Sequence, residues 1–280
     1  MNIIGLGKAG CKIAELFKEY PQYKVFLLDS EDKYKRMENC FSIPQQHSAE
    51  LYDASPIDLT KLIGSLDDDE EAYFIVCGSG KISACSLWIL KELSKKKINI
   101  VYIKPDSSTL DHKSIMRNKA HFHILQEYTR SGVFERILIF DNNSMTDIIG
   151  KTSILNFYPK INQFVATSIH WLNIYTNSVP VFDTFREKYI SSRICTLGII
   201  NVDESQIINC YEIKDDNQIE YFFGINRIRI ENDEELFDKL TSISSQSSEE
   251  KSISFGVYQT DLDEGFSFAL KSSSEIQKEV

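Results

Sequence analysis

Two hydrophobic rhythms alternate along the first half of the chain. Short runs that are apolar at nearly every position recur at Asn2–Leu6, Lys24–Asp29, Ala72–Cys77, Ile98–Ile103 and Arg136–Phe140. Between them, over Gly10–Glu19, Ile57–Leu66, Ile82–Lys95 and Lys113–Arg130, the apolar residues space out at threes and fours. Runs apolar on both faces belong to strands covered on both sides, and the longer period belongs to helices packed along one stripe. The alternation predicts an α/β fold over residues 1–146, a doubly wound and mostly parallel sheet of the nucleotide-binding type. Such sheets bind ligands at the carboxyl ends of their strands.

The rhythm changes after residue 146. Asp147–Tyr175 reads as one long helical run that Pro159 is expected to split in two, and the loop Asn177–Pro180 closes it. From 191 to 271 strands dominate: Ile194–Val202, Ile207–Ile213, Ile219–Ile230, and Ser252–Gln259 paired as a hairpin with Gly265–Leu270. Asp233–Ser242 reads as a helix and Ser244–Lys251 as a flexible linker. The expectation is a smaller α+β domain joined to the first by a central helix and loop over 147–190. Residues 272–280 are expected to form a short mobile tail.

Composition narrows the function classes. With 280 residues, 42% of them hydrophobic, the chain can bury a sizeable core. A net charge of −10 and a pI near 5.1 argue against general nucleic-acid or anionic-membrane binding. No apolar run reaches membrane-spanning length, and the chain opens directly on a core strand, so a cytoplasmic location is expected. The six cysteines are widely spaced without a C-x-x-C pair, and His121 and His123 point to different sides of a helix, so neither a disulfide framework nor a metal site is expected.

Two glycine-marked turns carry the candidate chemistry, Gly5-Leu6-Gly7-Lys8-Ala9-Gly10 and Gly78-Ser79-Gly80-Lys81-Ile82-Ser83-Ala84-Cys85-Ser86. Each follows an apolar run and opens a helical pattern, so each aims free N–H groups and the positive end of a helix dipole at a phosphate. Taken alone the first fits the dinucleotide fingerprint G-x-G-x-x-G, with Asp29 placed to hold a ribose. The second is not a Walker loop, because Ile82 follows Gly80-Lys81 and the upstream glycine is missing.

Together these turns resemble those of the tubulin/FtsZ superfamily. That family opens its GTPase domain with a glycine turn like Gly5–Gly10, a stretch that here runs on into Cys11, and carries a G-x-G-G-G-T-G-[ST]-G phosphate loop that aligns with Gly78–Ser86. Lys104-Pro105, followed by Lys113 and Arg117, resembles its Lys-Pro loop, and Phe140–Met145 occupies the slot of its I-P-N-D-[KR]-L segment and keeps Asn142. Tyr158 and Asn162 have the spacing of the aromatic residue and the Asn or Asp with which the family reads guanine. The resemblance implies GTP or GDP held by Gly5, Gly7, Lys8, Gly10, Cys11, Gly78, Ser79, Gly80, Lys81, Ile82, Ser83, Lys113, Asn142, Tyr158 and Asn162, with Mg²⁺ as a candidate companion on Ser83. It implies a head-to-tail homopolymer of this chain, as in phage or plasmid tubulin-like proteins of the bacterial cytoplasm.

The departures bear on chemistry. Only the first two glycines of the phosphate loop survive, and Ile82 and Ala84 restrict the turn. The loop after the central helix, where the family places two acids that position the attacking water, has one acid, Asp183, with Glu187 further on. Asp183 is therefore the candidate catalytic residue of a GTPase, and a helix N-cap is the competing reading. Three function classes stay open: a filament-forming GTP-binding protein with weak or modified hydrolysis, a degenerate relative acting as an interaction module, and an NAD-binding Rossmann enzyme.

Overall fold

A computed structural model describes residues 1–31, 38–67, 69–185, 192–245, 251–263 and 265–278. Strand β1 (Asn2–Leu6), buried throughout, runs straight into helix α1 (Gly7–Leu16). Then come β2 (Lys24–Asp29), β3 (Cys40–Ser42), α2 (Ala49–Asp53), α3 (Thr60–Ser65) and β4 (Ala72–Cys77). A 3-10 turn over Ile82–Cys85 leads into α4 (Ser86–Glu92), β5 (Ile98–Lys104), α5 (His112–Arg130) and β6 (Arg136–Asp141). These strands pair in parallel in the order β3-β2-β1-β4-β5-β6. The doubly wound half expected from the hydrophobic rhythm is thus in place.

Helix α6 (Asn142–Ile149) follows β6 without a gap, and α7 (Ile154–Thr176) is the long central helix. Pro159 lies inside α7 and does not split it. Its missing N–H would have bonded the carbonyl of Leu155, whose exposed turn leaves that carbonyl to water. The break sits earlier, at Gly150, whose φ of 65° closes α6.

The second half continues the same sheet. It comprises β7 (Phe182–Asp183), β8 (Ile194–Asn201), β9 (Gln206–Asn209), β10 (Asp216–Asn226), α8 (Arg227–Asn232), α9 (Leu236–Ser245), β11 (Ser252–Thr260) and β12 (Ser267–Ser273). The order runs on from β6 as β8-β12-β10-β11-β7, with β9 on β8, giving one sheet of twelve strands among the described residues. The predicted hairpin is corrected here: β11 and β12 do not pair, because β10 lies between them, parallel to β11 and antiparallel to β12. Gly265, at φ 65°, packs its backbone on the carbonyl of Gly224, so the connection folds over the end of β10. The expected strands 207–213 and 219–230 end at Asn209 and Asn226, and Arg227–Asn232 turns into helix behind the Asn226 cap.

The tail expectation is also corrected. Ser272 and Ser273 belong to β12, and Gln277 is buried. Its backbone N–H donates to Gln126 Oε1 at 2.8 Å and its carbonyl accepts from Gln126 Nε2 at 3.1 Å, while its side chain pairs with both backbone groups of Lys214. These bonds offset the entropy that would otherwise free the segment. Of the expected linker 244–251, Ser244 and Ser245 lie in α9, and 246–250 fall outside the described residues.

One core unites the halves. The stripe of α7 formed by Ile161, Val165, Ile169, Leu172 and Tyr175 packs into a cluster that includes Ile3, Ile75 and Val101 as well as Leu197, Phe222 and Phe268. Near its carboxyl end, buried His170 shares a 3.0 Å hydrogen bond with Tyr23, which accepts another from Asn173 at 3.0 Å. Burial pushes the His170 imidazole below its ordinary 6.5, and burial does the same to His121. The unfolded chain binds these protons as pH falls through about 6.5 while the folded chain resists, so their effect is absent above that value and destabilising below it. The melting temperature is expected to fall between pH 7 and 5.5, and a His121→Asn/His170→Gln variant to show a flatter slope. A double variant as steep as the parent would contradict this.

Candidate functional site

The first turn is built by close packing. A Cβ on Gly5 would stand 2.5 Å from the Gly10 carbonyl and 2.9 Å from Ala14, and one on Gly10 would strike the Ile75 carbonyl. Glycine at both positions lets α1 lie directly on β1 and β4. Gly7, at φ 68°, turns strand into helix with no residue between. Leu6 offers the helix no side-chain cap, and its first turn holds no acid, so the N–H groups there are open to an anion. Lys8 is exposed beside them. Cys11 is buried, with its thiol directed to the carbonyls of Gly5 and Leu28 at 3.3 and 3.5 Å, and burial raises its pKa well above the usual range. It supports the turn from below and does not face a ligand.

The second turn touches the first, since a Cβ on Gly7 would lie 2.6 Å from Ile82 Cγ2. Helix α5 holds it from behind. His121 Nδ1 meets the Gly78 carbonyl at 3.2 Å, and Arg117 donates to the Ser79 carbonyl at 2.6 Å. In a trans peptide C=O and N–H point oppositely, so these contacts turn the N–H groups of Ser79 and Gly80 away from α5. Gly78 is required because a Cβ would overlap the Tyr102 hydroxyl, itself bonded to Asn118 Oδ1 at 2.7 Å.

Several expected contacts are engaged elsewhere. Ser83 is buried and donates its hydroxyl to the Cys77 carbonyl, which removes the expected Mg²⁺ ligand from the pocket. Lys81 reaches the His47 carbonyl at 3.1 Å. Lys113 is exposed at the start of α5, beside a groove of about 520 Å³ shared with Glu50 and Asp53.

At the end of β6, Lys104 and Asp141 form a 2.8 Å ion pair, and Asp141 accepts from the Asn143 N–H to cap α6. Asn142 is thereby fixed at the carboxyl edge of the sheet, buried, with its Oδ1 lacking any hydrogen-bond partner among the described residues. Such an atom is an unspent acceptor at the strand ends. Tyr158 stands exposed one turn into α7, edge-on to Phe157 at 5.2 Å, with Asn162 half-buried one turn further.

Asp183 is far away. It sits on the edge strand β7, paired with Gly256, exposed, and accepts from the Phe185 N–H at 3.2 Å. It caps a turn and not a helix, and Glu187 falls outside the described residues. The 23 residues of α7 set the Tyr158 end about 34 Å from the end that leads to Asp183. The helix thus separates the Tyr158 end from the end at which the chain leaves toward Asp183. Asp29 is buried at the end of β2 and accepts from the Ser30 N–H at 2.6 Å, a poor posture for holding a ribose.

Arg117 and His121 act as braces of the second turn, a role the sequence reading missed. Their signal was the spacing of four in α5, which puts both on one helix face.

Solved structures with the same architecture cover nearly the whole chain. A GTPγS-form protofilament of TubZ from Bacillus thuringiensis serovar israelensis matches with a TM-score of 0.71 at 14% identity, over 99% of this chain and 87% of that one. The FtsZ dimer of M. jannaschii matches at 0.69 and 11% identity, over 98% and 88%. The GTPγS-bound protofilament of CetZ2 from Haloferax volcanii matches at 0.70 and 13%, over 97% and 92%. No protein-family model and no curated protein sequence matches the chain. The fold is that of the tubulin/FtsZ superfamily.

Replacing Gly10 by Ala is expected to lower unfolding free energy by about 1–3 kcal/mol, because α1 must lift from the Ile75 carbonyl. Urea denaturation measures this, and an unchanged midpoint would show that close packing is not what Gly10 serves.

Proposed function

We propose that this protein is a tubulin-like cytoskeletal protein that binds guanine nucleotide and assembles head to tail, with weak or modified hydrolysis. The observation that carries the reading is the buried, unpartnered Oδ1 of Asn142 at the sheet edge that also holds the two touching turns. Guanine offers N1–H and N2–H donors to such an acceptor, Asn162 adds a second polar edge, and the exposed Tyr158 ring provides a stacking face. The uncapped N-terminus of α1, with Lys8 beside it, suits the phosphates. The TubZ and CetZ2 neighbours are GTPγS-form protofilaments, which supports both nucleotide and self-assembly as the reading for this fold. No helix among the described residues is long and apolar enough to cross a membrane, and we assign the protein to the cytoplasm, a bacterial host's if it is phage- or plasmid-encoded.

Mg²⁺ would need ligands other than Ser83. For hydrolysis, Asp183 is the one acid of its loop, and the length of α7 between it and the Tyr158 end supports a role on the nucleotide of an adjoining copy. One observation favours a second reading, an interaction module without nucleotide: the Ile82 side chain stands against Gly7, in space that a glycine would leave to phosphate.

Calorimetric titration of nucleotide-stripped protein with GTP and Mg²⁺, with NAD as control, separates the readings. Micromolar binding of GTP alone is expected, and Asn162→Ala is expected to weaken it by roughly 1–3 kcal/mol. Silence with GTP would leave the interaction module. Asp183→Ala is expected to stop phosphate release while filaments persist, and unchanged release would return Asp183 to a turn-capping role.

A further inference from the structure

The groove of about 520 Å³ beside Lys113 lies between α2 and α5. Ala84, Leu87, Ala120 and Ile124 give it an apolar lining, and Met116 is 55% exposed within it. Through Asp53 and Leu87, which line both, it runs on into a hollow of about 350 Å³ among Trp88, Tyr128, Val133 and Phe134. Tyr128 and Val133 are exposed there, the tyrosine ring edge-on to Phe134 at 6.2 Å. From His112 to Tyr128 the wall formed by α5 spans about 24 Å, between four and five helical turns. Exposed apolar side chains gathered along one groove mark a contact surface.

Charge is segregated across this groove. Glu50 and Asp53 stand exposed on α2, and exposed Lys113 and partly buried Arg117 stand on α5. Glu50 lies in the field of both cations, yet no ion pair joins the two sides among the described residues. A small ion would meet one side only, and a purely apolar ligand would leave both charges unused. An apolar stripe with cations along one edge and carboxylates along the other meets all of them, and an amphipathic helix presents that arrangement. The chain's own described helices do not offer it: outside this region their exposed large apolar residues are Ile154, Leu155 and Tyr158 at the start of α7, Ile228 in the six-residue α8, and Phe237 in α9.

We propose that this groove docks an amphipathic helix of a partner protein. The apolar stripe of that helix lies against Leu87, Met116 and Ile124, its cations face Glu50 and Asp53, and its carboxylates face Lys113. One large apolar side chain fills the hollow beside Trp88 and Phe134. The stripe supplies most of the affinity, and the charges fix the register and orientation. The proposal goes beyond the nucleotide reading and does not rest on it.

The test uses the full chain without nucleotide and a fluorescein-labelled helical peptide of about 18 residues, long enough to span the groove. The peptide carries leucines at helical spacing, a tryptophan near its carboxyl end and, in its amino-terminal half, lysines along one edge of the stripe and glutamates along the other. A twin peptide has the two edges exchanged. Fluorescence anisotropy is expected to show one twin binding at least tenfold more tightly than the other, and Glu50→Lys/Asp53→Lys, at two exposed positions, to abolish that preference. Met116→Asp is expected to weaken the favoured twin at least tenfold, with circular dichroism showing both variants folded. Equal affinity of the twins, binding of neither, or a preference unchanged in the double variant overturns the proposal. A parent that self-associates without peptide through a contact that Met116→Asp abolishes gives the groove to a second copy and overturns it too.

Discussion

Everything else in this molecule depends on the seat of α7 against a sheet that both halves share. Its buried stripe meets Ile3 and Ile75 on one side and Leu197, Phe222 and Phe268 on the other, so neither half completes its core without it. Tyr175 locks the far end: its ring stacks on Tyr258 at 4.6 Å, its hydroxyl donates to the Phe266 carbonyl at 2.8 Å, and Gly224 leaves the room, since a Cβ there would meet that hydroxyl. Burying so many apolar side chains along one helix makes it a rigid strut. That strut fixes the separation between the candidate nucleotide edge and the end of the helix from which the chain leads to Asp183.

The site is a set of structural devices with one loose end. Glycines at 5, 10 and 78 answer to packing, Cys11 and Ser83 to carbonyls beneath the turns, and Lys81 to a neighbouring loop. What they leave is the uncapped first turn of α1, the N–H groups of the second turn that face away from α5, and the buried Oδ1 of Asn142, which has no hydrogen-bond partner among the described residues. Internal bonds thus hold the second turn, while the buried Oδ1 of Asn142 stays unsatisfied among the described residues.

Much of the fold was legible in the sequence because strands buried on both faces write themselves as unbroken apolar runs. The ranges of β1, β2 and β4 follow from Asn2–Leu6, Lys24–Asp29 and Ala72–Cys77 alone. The pairing of β11 and β12 was not legible, since a short polar turn between two strands favours local pairing and nothing local records that β10 intervenes. Pro159 misled because its cost depends on whether the freed carbonyl meets water. For the site, order and spacing pointed to the carboxyl edge of the sheet, but glycine looks the same whether it admits phosphate or a neighbouring carbonyl. Arg117 and His121 became visible only once α5 was seen to lie behind the second turn.

The central claim, that this fold is used for head-to-tail assembly, is tested most directly by electron microscopy of the purified protein with GTP and Mg²⁺ across a range of concentrations. The account predicts protofilaments one molecule wide that appear above a threshold concentration. A protein that remains monodisperse and monomeric throughout would contradict it.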